Sequence, residues 1–182
     1  MEFRPTQIPD VLLLSPKVFT DARGSFMETF REDLFSASGI AGPFVQDNQT
    51  RSRQGVLRGL HYQIRQSQAK LVRAVAGEIF DVAVDLRRGS ATFGRWVGEI
   101  LSEENKFQIW IPKGFAHGFY VLSEWAEVHY KASDYYSPES ERTVLWNDPD
   151  LGIEWPLING RPPVLSGKDA SGKRLSEAEL FA

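Results

Sequence analysis

Alternation of apolar and polar positions, not helical periodicity, runs through most of this chain. From Glu78 to Leu86, Phe80, Val82, Val84 and Leu86 fall on one face while Asp81, Ala83 and Asp85 fall on the other. That period of two is what a half-buried strand requires. Phe107, Ile109 and Ile111 repeat it, and Trp96, Gly98 and Ile100 face away from Val97, Glu99 and Leu101. Further strand-like runs cover residues 44–50, 56–63, 71–76, 117–122, 126–132 and 143–146. Turn signals such as Gly89-Ser90, Pro112-Lys113-Gly114 and Asn147-Asp148-Pro149 separate them. Helical signals are confined to residues 31–38 and to the tail, where Ser176 and Glu179 form a capping box ahead of Leu180 and Phe181. Many short strands at this spacing predict a mainly β domain over 1–182. The expected architecture is a double-stranded β-helix (jelly roll), with short helices near the N-terminal third and the C-terminus.

The 182 residues are 42% hydrophobic and 25% charged, the balance of an ordinary globular domain. A net charge of −3 argues against a nucleic-acid surface, so any anion has to meet a local basic cluster. Cysteine is absent, which removes disulfides, thiolate nucleophiles and cysteine metal sites together. The apolar run from Val11 to Leu14 is far short of a membrane span, and nothing near Met1 reads as a signal peptide. A cytoplasmic protein with no membrane partner is the expectation.

There is no Gly-x-Gly for a dinucleotide, no nucleophile elbow and no His-Glu-x-x-His helix. Three histidines are present: His61, His117 and His129. Between Glu127 and Ala132, Tyr130 shares a face with Val128 and Ala132, so Tyr130 is expected to point inward and His129 outward, on the surface. Segments 58–63 and 111–119 resemble the two motifs of a cupin barrel. The second keeps Pro112-x-Gly114-x-x-His117, but the first has His61-Tyr62-Gln63 where a metal cupin carries His-x-His. A metal would need a third ligand from Glu78 or Asp81. The other role for an inward histidine is general acid–base catalysis, and the plain alternative is a buried histidine satisfied by backbone. Arg58, Lys70 and Arg73, expected near the barrel mouth, favour an anion-binding acid–base pocket.

Longer strings narrow this further. Val56 to Gln63 (VLRGLHYQ), Gln68 to Arg73 (QAKLVR), Gly77 to Asp85, Ile111 to Phe119 (IPKGFAHGF) and Ile153-Glu154-Trp155-Pro156, in order along nearly the whole chain, resemble the dTDP-4-dehydrorhamnose 3,5-epimerase family. The resemblance implies a cupin-like jelly roll without metal or other cofactor. It also implies a homodimer that exchanges an N-terminal segment of about 1–50. The implied substrate is a 4-keto-6-deoxy sugar on dTDP, inverted at carbons 3 and 5 to dTDP-4-keto-L-rhamnose in dTDP-L-rhamnose biosynthesis.

By the same resemblance His61 is the base, Asp169 orients it, Lys70 faces the enolate oxygen and Tyr130 donates a proton on the opposite face. Both protons are α to the ketone, so one enolate chemistry serves both carbons. Such a proton is weaker than imidazolium by roughly ten pKa units, a gap of order 15 kcal/mol. A base alone cannot close it, and the enolate oxygen needs a preorganised cation. Arg23 and Glu28 are implied to reach the nucleotide from the exchanged segment, with Gln46, Asp47 and Asn48 as one wall. Arg58 is assigned to the diphosphate, His117 to the diphosphate or sugar, Tyr136 to stacking on thymine, and Glu141 and Lys168 to the rim. Three alternatives stay open: a one-carbon epimerase, a metal-dependent cupin oxygenase and a silent sugar-nucleotide binding module.

Overall fold

The computed structural model describes residues 1–40 and 42–182. Among the described residues there are thirteen strands, two short α-helices and three 3-10 turns. The N-terminal part contains β1 (Glu2–Pro5), β2 (Leu12–Ser15), β3 (Val18–Asp21), β4 (Gly24–Met27), α1 (Glu32–Ala37) and β5 (Gln46–Arg53). The central part contains β6 (Leu57–Gln63), β7 (Lys70–Ala76), β8 (Glu78–Asp85), β9 (Trp96–Ser102), β10 (Gln108–Ile111), β11 (Phe115–Val121) and β12 (Trp125–Ala132). Then follow β13 (Glu141–Thr143) and α2 (Gly167–Ala170). A six-stranded sheet runs β1-β2-β10-β7-β12-β5, and a five-stranded sheet runs β13-β6-β11-β8-β9. Every pairing within them is antiparallel. This is the mainly β jelly roll that the alternation predicts, and the cupin-like fold that the resemblance implies.

Between the sheets lies an apolar core that includes Val72, Val128, Ile109, Phe119, Val121 and Leu101. A second cluster lies outside the five-stranded sheet, where Leu57, Leu60, Tyr62, Val82, Val84 and Tyr120 are roofed by the chain from Val144 onward. The roof changes how β8 is read. Its apolar face, Phe80, Val82 and Val84, packs under the roof, and the face carrying Asp81 and Asp85 is turned into the barrel, where both aspartates are fully buried. The strand is covered on both sides, and its interior carboxylates therefore require partners.

One expectation needs correction. The short C-terminal helix is α2, and the capping box at Ser176 does not start an α-helix: a single 3-10 turn spans Leu175–Glu177. Glu179 instead gives its carbonyl to the Tyr62 hydroxyl at 2.6 Å, and Phe181 packs 5.8 Å from the Tyr62 ring. Burying Leu180 and Phe181 against the sheet outweighs the local capping signal. The first thirty residues, by contrast, carry four strands too short for alternation to mark. Of these, β3 and β4 pair only with each other. Their hairpin leaves Phe19 and Phe26 exposed by 53% and 69%. Among the described residues, no helix is long and apolar enough to cross a membrane.

Candidate active site

The two glycines where β6 crosses β11 decide which side chains enter the barrel. A Cβ on Gly59 would stand 2.5 Å from Gly118 Cα, and one on Gly118 would stand 2.7 Å from the Arg58 carbonyl oxygen. Gly59 also has a φ of 131°, where an L side chain is strained. The pairing register slips here, between His117 and Phe119. On a regular strand residues three apart face opposite ways. Across this irregularity Arg58 and His61 both face the interior, while Leu57, Leu60 and Tyr62 pack outward. Arg58 reaches over to Ser52 of β5 (Nε to Oγ, 3.0 Å), and His61 lines a cavity of about 80 Å³ that opens at the barrel mouth.

His61 Nε2 lies 2.5 Å from Asp169 Oδ1. Asp169 sits in α2, where the Ser166 hydroxyl donates to Oδ2 at 2.6 Å and the Gly59 N–H points at Oδ1 at 3.3 Å. Burial works to raise the Asp169 pKa, but the bonds from His61, Ser166 and Gly59 outweigh it and hold it at about 2. An ionised Asp169 fixes the His61 proton on Nε2 and leaves Nδ1 as the basic nitrogen. Burial pushes the His61 pKa below its ordinary value; Asp169 opposes this, and Lys168 and Lys70 add to it. His61 is therefore neutral, and able to accept a proton, at pH 7.

Lys70 and Tyr130 come from β7 and β12 of the other sheet. Lys70 Nζ stands 5.8 Å from the centre of the Tyr130 ring. Burial draws the Lys70 pKa down to about 8, against the pull of Asp81 and Glu141. Burial raises that of Tyr130, whose hydroxyl stays protonated at neutral pH. Behind them His117 Nε2 is 2.9 Å from Asp81 Oδ2, and both side chains are buried. At the mouth the Tyr136 hydroxyl and the Lys168 ammonium both donate to Glu141, at 2.9 and 2.7 Å. Gln46 accepts from the Tyr136 N–H and donates to Asn48 Oδ1, each at 2.9 Å.

A sequence model of the dTDP-4-dehydrorhamnose 3,5-epimerase family matches residues 5–177. The chain belongs to that family. A dTDP-4-dehydrorhamnose 3,5-epimerase of Pseudomonas aeruginosa is 61% identical over 96% of this chain and 96% of its own length. The 3,5-epimerase of Legionella pneumophila, solved in complex with dTDP-4-keto-L-rhamnose, superposes with a TM-score of 0.95 at 55% identity, over 98% of this chain and 94% of that one. A 3'-monoepimerase from Streptomyces bikiniensis, in complex with dTDP-quinovose, gives 0.87 at 36% identity over 94% and 87%. The chain is thus an epimerase of the isomerase class.

Within this epimerase most of the candidate residues converge, and some do not. Asp47 alternates onto the outer face of β5, where its carboxylate meets Lys131 Nζ at 3.0 Å, not the cavity. Arg23 pairs with Asp21 on the exposed β3–β4 hairpin, and Glu28 lies 3.9 Å from Arg31, so neither reaches this chain's own pocket. Arg73 is not at the mouth: it lines a separate cleft on the outer face with His129 and Lys131. His129 does face away from Tyr130, but it is half-buried, with Nε2 enclosed and without a hydrogen-bond partner among the described residues. Alternation alone placed Asp81 on the polar side, so its pairing with His117 went unread; a carboxylate facing a cupin-motif histidine is the signal for it. Among the described residues, no three His, Cys, Asp or Glu side chains converge to hold a metal. His61 and His117 each face a different aspartate, and Glu78 is exposed at the far end of β8.

Proposed function

We propose that this epimerase enolises a dTDP-linked 4-keto-6-deoxy sugar on both sides of its ketone, converting dTDP-4-keto-6-deoxy-D-glucose to dTDP-4-keto-L-rhamnose. One observation carries the reading. An oriented neutral histidine projects from one sheet, while a lysine and a protonated tyrosine project from the sheet facing it. A sugar ring between the sheets has a base on one face and an acid on the other, which inversion requires.

His61 Nδ1 takes the proton from the carbon next to the ketone, and the resulting imidazolium is stabilised by Asp169. The electron pair moves onto the ketone oxygen, where Lys70 supplies positive charge in a dry setting. Tyr130 returns a proton from the opposite face. Exchange with solvent then restores His61 and Tyr130 for the second carbon. The buried His117–Asp81 pair forms the rear wall and leaves the other imidazole nitrogen to bind sugar or diphosphate. Arg58 suits the diphosphate, since its guanidinium fork matches paired oxygens. Tyr136, with half its surface exposed at the mouth, suits stacking on thymine, with Gln46, Asn48, Glu141 and Lys168 around it.

The hairpin supports a homodimer. Its two exposed phenylalanines and its exposed Arg23, paired only with the neighbouring Asp21, suit insertion beside the pocket of a second copy, with Glu28 at the base of the arm. The absence of cysteine and a nucleotide-sugar substrate favour a cytoplasmic enzyme.

Proton NMR of dTDP-4-keto-6-deoxyglucose with the protein in deuterated buffer containing EDTA tests the reading. Deuterium is expected at both carbons 3 and 5. Exchange at one carbon would make the protein a monoepimerase, like the Streptomyces bikiniensis relative. No exchange would overturn the enolisation mechanism.

A further inference from the structure

Gln63 stands where a metal cupin would carry its second histidine, and its side chain is 4% exposed. Three of the four hydrogen bonds open to its amide are made inside the protein. Nε2 donates to the carbonyls of Gln66 at 2.8 Å and Tyr135 at 3.2 Å, and Oε1 accepts from the Ser137 N–H at 2.8 Å. The last two groups flank Tyr136, whose own N–H is held by Gln46 at 2.9 Å. The backbone on both sides of Tyr136 is thus pinned from beneath, while its ring is 51% exposed. Two further bonds join the same pair of loops: Gln68 Nε2 to the Asp134 carbonyl at 2.7 Å, and the Ala69 N–H to Ser133 Oγ at 2.9 Å.

We infer that Gln63 is a positioning residue for nucleotide recognition, holding Tyr136 at the barrel mouth in the orientation on which a nucleobase stacks. Its polar atoms are committed to the two mouth loops, so it acts on affinity through Tyr136 and not on proton transfer. The same interior position that would ligate a metal in another cupin serves here as a brace between loops 64–69 and 133–137. This inference rests on Tyr136 being the stacking residue.

Calorimetric titration with dTDP, together with steady-state kinetics, is to be run on the wild type, Gln63→Leu, Tyr136→Ala and the double variant. Gln63→Leu is expected to raise the Kd for dTDP and the KM for the sugar nucleotide about tenfold, with kcat held within about threefold. In the Tyr136→Ala background it should add nothing, since the two residues act as one unit. Unchanged dTDP affinity in Gln63→Leu, additive effects, or a fall in kcat at constant KM would each overturn the role. If Tyr136→Ala itself leaves dTDP affinity unchanged, the stacking reading falls and the Gln63 role with it. If only Gln63→Leu is without effect, stacking stands and the brace alone is refuted. Should Gln63→Leu not fold, Gln63→Glu keeps size and sets a carboxylate against the Gln66 and Tyr135 carbonyls, and the same loss of affinity is expected.

Discussion

Lys70 carries its ammonium beside Tyr130, with its pKa drawn from 10.5 to about 8, first by burial. A lysine whose folded pKa lies below its unfolded one opposes folding at every pH where it is charged in both states. The drop corresponds to a cost on the order of 3 kcal/mol below about pH 8, relieved as pH rises toward 10.5. Lys70→Met should therefore melt higher than the wild type at pH 7, lose that advantage above pH 10, and be inactive. A lower melting temperature would mean that the charge stabilises the barrel. The same shift, with that of His61, shapes the rate profile. Because kcat/KM reads the free enzyme, its acid limb should lie below pH 6.5, where burial has moved His61, and its alkaline limb near pH 8, where Lys70 loses its proton. A profile flat through pH 9.5 would remove Lys70 from the chemistry.

The element that matters most is β6 against β11. Gly118 has an ordinary φ, so Gly118→Ala tests the close approach and not backbone strain. Its Cβ would need to move the Arg58 carbonyl, 2.7 Å away, and the two strands would have to part. Overpacking of this kind costs about 1–3 kcal/mol, and kcat should fall with it as His61 leaves Asp169. A variant with a lowered melting point but full kcat would show that the crossing serves stability alone. This element also marks how far the sequence can be read. Period-two alternation locates β6 to β12 and turns Tyr130 inward, because side-chain direction along a regular strand follows from sequence position. It fails at Gly59, where an irregularity lets residues three apart share a face. It puts Asp81 on the polar face but cannot tell that this face is the inner one, because a roof built by a distant part of the chain covers the apolar face. It misses the first four strands, which are too short to show a period. Asp169, alone in a polar loop, is legible only through the family resemblance, since no local pattern announces a partner 108 positions away.

At the scale of the whole molecule, the β3–β4 hairpin stands apart from the barrel and Arg23 stands with it, its side chain 90% exposed. If each pocket borrows that arm from a second copy, Arg23→Ala and His61→Ala damage different contributors to a site. Each variant alone should be nearly inactive. Mixed after subunit exchange they should recover about a quarter of wild-type activity, because half the dimers are mixed and one of their two pockets is intact. No recovery, with exchange verified by mass, would place Arg23 and His61 in pockets of the same chain.

The roof over the five-stranded sheet is also made after most of the strands it covers. By the time β12 leaves the ribosome, all strands of the facing sheets except the edge strand β13 are made, and Lys70, Tyr130 and Arg58 are available to form the walls. His61 then has nothing to hold its ring, because Asp169 and Ser166 are still to be translated. Synthesis runs from the N-terminus and lets early parts collapse first, so the cavity takes shape before its base is aimed. A chain cut short before residue 166 would hold the cavity walls and lack the chemistry. Activity therefore waits on a segment that is made after the walls it completes.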